Sequence, residues 1–161
     1  MTYFIGNGAV VVGDVTLGED SSVWFNSVIR ADMQPVTIGA ETNIQDGTII
    51  HVGDNHPTII KEHVTVGHQC MIHGCTIEKG ALIGMSSILL DGAIIGENSL
   101  IGAGSLVTKN TVIPPNSLAF GRPAKVIREL TAEEIAANHA NTDHYVQLSK
   151  KFLANRYQEL S

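Results

Sequence analysis

Aliphatic residues recur six positions apart along most of this chain: Ile5, Val11, Leu17, Val23 and Ile29, then Ile38, Ile44 and Ile50, then Ile60, Val66 and Ile72. After one missing residue the ladder resumes as Ile77, Ile83, Leu89, Ile95, Ile101, Val107 and Ile113. Neither an amphipathic helix, with its 3.6-residue period, nor an alternating strand has this spacing. Three short strands of about six residues each close one triangular coil of a parallel β-helix, so the spacing predicts a solenoid. Two interruptions, around MQP at 33–35 and in VGDNHPT at 52–58, are read as insertions.

The position four after each aliphatic residue is small: Ser21, Ser27, Thr42, Thr48, Cys70, Ala81, Ser87, Ala93, Ser99, Ser105, Thr111. This is the inward partner of the ladder residue. Cys70 falls in the slot and reads as a small buried hydrophobe. Cys75 sits in the shortened repeat, and the pair suggests no disulfide framework. Gly18, Gly39, Gly67, Gly84, Gly96 and Gly102 directly follow ladder residues, where a tight corner is expected to need permissive backbone. The expected division is a β-helix over 1–125 and a helical tail over 126–161, within a single domain. In the tail, Thr131 with Glu134 has the form of a capping box, and Tyr145, Leu148 and Phe152 recur at helical spacing. A short helix near 132–140 and a longer one near 142–158 are expected.

The 161 residues carry a formal charge of −6, with Lys and Arg scattered. That argues against a nucleic-acid or anionic-membrane partner and suits a small substrate. The N-terminus lacks the features of a signal peptide and no apolar run reaches membrane-spanning length, so a cytoplasmic location is expected.

With three repeats per coil, the repeats of Ile29, Ile50, Ile72 and Leu89 stack on one face and those of Val23, Ile44, Val66 and Ile83 on a neighbouring face. His51 and His73 each follow a ladder residue by one position, so they stack about 4.8 Å apart, the distance between adjacent strands. Asp46 and His68 each follow by two, so they stack on the other face. A prism cannot turn His68 onto the ion shared by the other two imidazoles, whereas a three-fold ring of copies can, by docking unlike faces. The same docking draws Asp46 towards Arg30. Three imidazoles with no fourth protein ligand suit Zn2+ with a position open for water, and Fe2+ or Co2+ also accept imidazole.

"RADMQ" with Arg30 and Asp32, "NIQDGTIIH" with Gln45, Asp46 and His51, and "VGHQCMIHG" with His68 and His73 resemble the motifs of the gamma-class carbonic anhydrases. The likeness extends through "GMSSILLDGAIIGENSLIGAGSLV" and "GRPAKVIREL". It implies a left-handed β-helical homotrimer with metal held by His51 and His73 of one chain and His68 of the next. It also implies an Arg30–Asp46 interface salt bridge, with Asp32 in the same polar shell, and a Gln45 that orients a metal-bound hydroxide attacking CO2 to give bicarbonate. Tyr145 resembles a C-terminal tyrosine that reaches the site in some members. Only "MQP" and "VGDNHPT" stand where other members carry a longer acidic loop, which places the chain with a short-loop branch; Asp54 and His56 lie nearby in sequence and read either as proton carriers or as part of a solvated loop. Structural readings stay open for Arg30 with Asp46 as a trimer contact, for Gln45 as a corner cap and for Tyr145 as a core-facing ring. At the level of function, the alternatives are a non-catalytic metal-binding assembly subunit and a thioesterase or acyltransferase on the same fold.

Overall fold

The computed structural model describes residues 2–155 and residue 157. It is a parallel β-solenoid followed by one helix. The first face is built from Phe4–Ile5, Ser22–Val23, Asn43–Ile44, Thr65–Val66, Leu82–Ile83, Leu100–Ile101 and Ser117–Gly121, paired in parallel. The second and third faces form one ten-stranded sheet because the strand Val28–Ile38 turns the corner between them. That strand absorbs the MQP insertion. The second insertion becomes a hairpin closed by reciprocal backbone hydrogen bonds between Gly53 and His56, of 3.0 and 3.3 Å.

Register follows the ladder. Ile29 pairs with Ile50, Ile50 with Ile72, Ile72 with Leu89 and Leu89 with Val107, and each of these side chains is fully buried in the prism. The small residues four positions on fill the corners, and some bond the backbone of the following coil: Thr48 Oγ1 donates to the Gly67 carbonyl at 3.0 Å and accepts from the Cys70 amide at 3.2 Å. Both cysteines are free and buried. Cys75, two residues before Ile77, occupies the same inward slot that Cys70 holds before Ile72. Burial drives the Cys70 thiol up to about 11 and the Cys75 thiol up to about 12, so both behave as packing groups.

The glycines that follow ladder residues serve closeness, not backbone freedom. None of them has positive φ, whereas a Cβ on Gly84 would stand 2.5 Å from the backbone nitrogen of Ala103 in the next coil. The left-handed residue comes two positions later. Asp20, Asn26, Glu41, His63, Gln69, Ser86, Asn98, Asn110 and Asn116 all have φ of 55–60° there, and Gly47, Gly80, Gly92 and Gly104 fill the equivalent places. Asn, Asp and Gly tolerate this conformation best.

Beyond Gly121 the chain reverses. Ala124–Glu129 pairs antiparallel with Ser117–Gly121, so the sheet runs past residue 125 and the tail proper is a single helix, α1, Ala132–Leu153. Two helices were expected, one near 132–140 and one near 142–158, with a break between them. Thr142 instead spends its hydroxyl on the Thr65 hydroxyl (2.8 Å) and on the Asn138 carbonyl (3.2 Å), which docks the helix without interrupting it. The helix ends at Leu153, short of the expected 158, and Gln158 lies outside the described residues. The capping box of Thr131 and Glu134 is present, and Glu134 also takes a bidentate pair from Arg128 at 2.8 Å. The Arg128 hydrogen bonds, with that of the Thr131 amide, lower the Glu134 carboxyl to about 2.

At about 1.5 Å per residue α1 is about 33 Å long, enough to run back along the whole first face. His139 Nε2 meets Asn98 Oδ1 at 2.9 Å near one end, and Phe152 packs between Phe4, Trp24 and Phe25 at the other. His63 Nε2 meets Asp143 Oδ1 at 2.8 Å, so both His63 and His139 serve the docking of the helix. No helix among the described residues is long and apolar enough to cross a membrane.

These two glycine environments separate by mutation. Gly104→Ala, at φ +72° with nothing within 4 Å of the new methyl, is expected to cost about 1 kcal/mol. Gly84→Ala, which drives a methyl into backbone, is expected to cost clearly more, as read by urea denaturation of the two variants.

Candidate metal centre

The second face sets His51 directly over His73: they are register partners, their ring centres are 5.1 Å apart, and His51 Nδ1 lies 3.1 Å from His73 Nε2. Each ring ends on a carboxylate. His51 Nε2 meets Asp32 Oδ1 at 2.8 Å and His73 Nδ1 meets Asp91 Oδ1 at 2.5 Å. Asp32 is bonded in turn by Arg30 Nη1. The hydrogen bond from His51 holds the Asp32 carboxyl below its ordinary value. Burial works to raise that of Asp91, but His73, Lys109 and His56 together pull it below normal.

This file of Asp32, His51, His73 and Asp91 has three internal contacts, and each needs one N–H proton. Two neutral imidazoles hold only two protons. With both protons directed to the carboxylates, a lone pair on each ring faces the other, and a cation between the imidazoles satisfies that arrangement. Two donors on one tetrahedral zinc, at 2.0–2.1 Å each, lie about 3.3 Å apart. The observed 3.1 Å between ring nitrogens fits that spacing.

His68 points from the first face, as the ladder requires. Its Nδ1 meets Asp46 Oδ2 at 2.9 Å, both side chains being about two-fifths exposed, and Nε2 is left for a further partner. Within one chain Arg30 pairs with Asp32 and Asp46 pairs with His68, so Arg30 and Asp46 are not brought together. Among the described residues no three His, Cys, Asp or Glu side chains of one chain converge as a metal cage.

Gln45 is buried at the head of a directional hydrogen-bond file. Its amide donates to Asn43 Oδ1 (3.1 Å), Asn43 donates to Thr65 Oγ1 (2.9 Å), and Thr65 continues to Thr142 on α1. Tyr145 stacks edge-on against Trp24 at 5.4 Å, and burial and then the charge of Asp46 raise its phenol above the usual value. Both residues therefore belong to the first face, with Asp46 and His68. On the second face a cavity of about 450 Å³ opens between the histidine pair and the Gly53–His56 hairpin, with Met33, Asp54, His56 and Asp91 in its wall.

Asp91 is the site residue that reading the ladder missed. Leu90 occupies the column of His51 and His73, and the column alone leads to it. The residue beside it, 18 positions after His73, reaches back one coil. Its signal was the Asp91–Gly92 pair at a corner, a turn dipeptide that reads first as structural.

Residues 74–109 match the family described as Bacterial transferase hexapeptide (six repeats). A carbonic anhydrase of Geobacillus kaustophilus is 51% identical over 158 residues, covering 98% of this chain and 87% of that one. Gamma carbonic anhydrase 1, mitochondrial, of Arabidopsis thaliana is 40% identical over 164 residues, covering 98% of this chain and 60% of that longer one. Among solved structures, the product of the BC4754 gene of Bacillus cereus, named for a proposed acetyltransferase activity, superposes with a TM-score of 0.92 at 52% identity, covering 93% of this chain and 87% of that one. The transferase hexapeptide match begins after His73 and contains none of the three histidines, so it reports the repeat and not the chemistry. The near full-length likeness to carbonic anhydrases includes the segments that carry the histidines, and the chain belongs to the gamma-class carbonic anhydrase family.

Proposed function

We propose that the chain is a metal-dependent carbonic anhydrase that interconverts CO2 and bicarbonate at sites shared between copies in a homotrimer. The observation that carries this is the stacked pair His51 and His73, with facing nitrogens 3.1 Å apart and a carboxylate behind each ring. His51 and His73 of one copy and His68 of the next hold the metal, Zn2+ or, with the same donors, Fe2+ or Co2+. When bound, the metal supplies the Lewis acidity that makes hydroxide available from water near neutral pH.

The chain's own residues do the rest. Asp32 and Asp91 hold the two rings in orientation, and Asp46 does the same for His68. Gln45, fixed through Asn43, Thr65 and Thr142, presents its amide to the attacking oxygen. Hydroxide adding to the carbon of CO2 gives bicarbonate, and the proton released on restoring hydroxide leaves past Asp54 and His56 in the cavity wall. Arg30 exchanges part of its hold on Asp32 for Asp46 of the adjoining copy. Tyr145 closes the first-face side.

Two features support the ring. The second face displays an exposed apolar ladder of Val10, Val12, Ile49 and Met71 beside the histidines, a surface that a second copy would dry. His51 and His73 stand together while His68 projects from the other face with Asp46, so a site of three imidazoles would have to draw its third from a neighbouring copy. A transferase reading would need one catalytic histidine and leaves the paired imidazoles unexplained.

The reading is tested by stopped-flow CO2 hydration on anaerobically purified protein, with metal measured on the same sample. About one metal per chain is expected, and His51→Ala, His68→Ala and His73→Ala should each lose it while the oligomer persists. Metal retained in full with no hydration would favour an assembly subunit instead.

Sharing between copies has its own arithmetic. A His51→Ala chain co-expressed with a His68→Ala chain should recover roughly one quarter of wild-type metal and activity, because an intact site needs the right variant on each side of one contact. Native mass spectrometry establishes that mixed oligomers form. Mixed oligomers without any recovery would show that His68 does not complete a neighbour's site.

A further inference from the structure

Three carboxylates touch the three histidines, and one differs from the others. Asp32 and Asp46 are about two-fifths exposed, whereas Asp91 is 19% exposed and makes the shortest of the three contacts. Its carboxylate lies in a slot formed by glycines. A Cβ on Gly53 would come within 3.1 Å of its oxygens, and one on Gly74, where φ is +58°, within 2.5 Å. The backbone beneath is clamped from both sides. The Gly92 amide donates to the Gly74 carbonyl at 2.7 Å, and the Asp91 carbonyl accepts from the Asn110 amide at 3.0 Å. Lys109 Nζ stands 3.9 Å from the second oxygen, Oδ2, which leaves Oδ1 to His73.

We infer that Asp91 is a positioning residue: seated between Gly53 and Gly74, it holds the proton of His73 on Nδ1 and turns Nε2 towards His51 as a metal donor. This rests on the reading of His73 as a ligand. A neutral imidazole has one N–H and one lone pair, so fixing the proton on Nδ1 decides which nitrogen can bind a metal. A carboxylate accepting from the far nitrogen also makes the ligating nitrogen more basic. The two glycines give the carboxylate its place; a Cβ at Gly74 would stand 2.5 Å from Oδ1 and 2.9 Å from the Cβ of His56.

The experiment has two readouts, neither of them activity. The first is long-range 1H–15N NMR of histidine-labelled, metal-free protein at a pH where the rings are neutral, which distinguishes the two tautomers. His73 is expected as Nδ1–H in the wild type, to move to Nε2–H in Asp91→Ala, and to stay Nδ1–H in Asp91→Asn, whose amide oxygen accepts the same proton. The second is zinc affinity by chelator competition, expected to fall about 10- to 100-fold in Asp91→Ala and less in Asp91→Asn.

A folded Asp91→Ala protein with wild-type zinc affinity would overturn the inference, and so would a wild-type His73 in the Nε2–H form, which decides the matter even if the alanine variant does not fold. The ligand reading is judged separately by His73→Ala. If that variant keeps wild-type zinc affinity, His73 is not a ligand; if it loses zinc while Asp91→Ala does not, only the role of Asp91 falls.

Discussion

Everything in this molecule depends on the parallel hydrogen bonding of one coil onto the next. It fixes the distance between coils at about 4.8 Å and locks their register, so a residue type that recurs in sequence becomes a column in space. The isoleucine column fills the prism. The same constraint forces His51 over His73 and Asp46 against His68. A functional pair built in this way needs no loop to place it. It inherits the rigidity of the core, because Ile50 and Ile72, one residue earlier on each strand, are completely buried. The glycines obey the same rule: with so little space between coils, even a methyl at Gly84 has nowhere to go.

What could be read from the sequence is what runs along that one dimension. The ladder, the inward slot of Cys70, the Thr131–Glu134 cap and both stacked pairs follow from spacing alone, because spacing and register are here the same quantity. What could not be read crosses columns or faces. Asp91 reaches diagonally to His73, Arg30 turns to Asp32 on its own strand, and His63 and His139 meet groups on or beneath α1. The expected break between two helices is absent because Thr142, at that point, is buried against Thr65 and bonds the Asn138 carbonyl, so the helix runs through. The glycines were recognised as necessary at the right positions but for the wrong reason, since steric closeness and positive φ leave the same residue in a sequence.

The distribution of charge over the two candidate faces has a pattern of its own. The second face offers a string of acid and imidazole with apolar side chains beside it, and the first offers Asp46 with His68. In an isolated chain Arg30 and Asp46 find partners on their own faces, and those pairs are solvent-screened and weak. Weak pairs of this kind cost little to break, so neither residue is firmly committed to its partner within the chain. Asp91, set deeper, is less open to solvent than Asp32 or Asp46.

A stack of parallel coils has a defect that a closed barrel lacks, because its last coil presents an unpaired edge on which another chain could continue the pattern. The reversal at Gly121 meets this problem on the first face. Ala124–Glu129 lies antiparallel over the last parallel strand, in a direction that an incoming coil of the same kind cannot extend in register, and it places Lys125, Arg128 and Glu129 along the new edge. The chain thus ends its own repeat on this face by changing polarity, so the number of coils is a property of each molecule and end-to-end growth of the sheet is disfavoured.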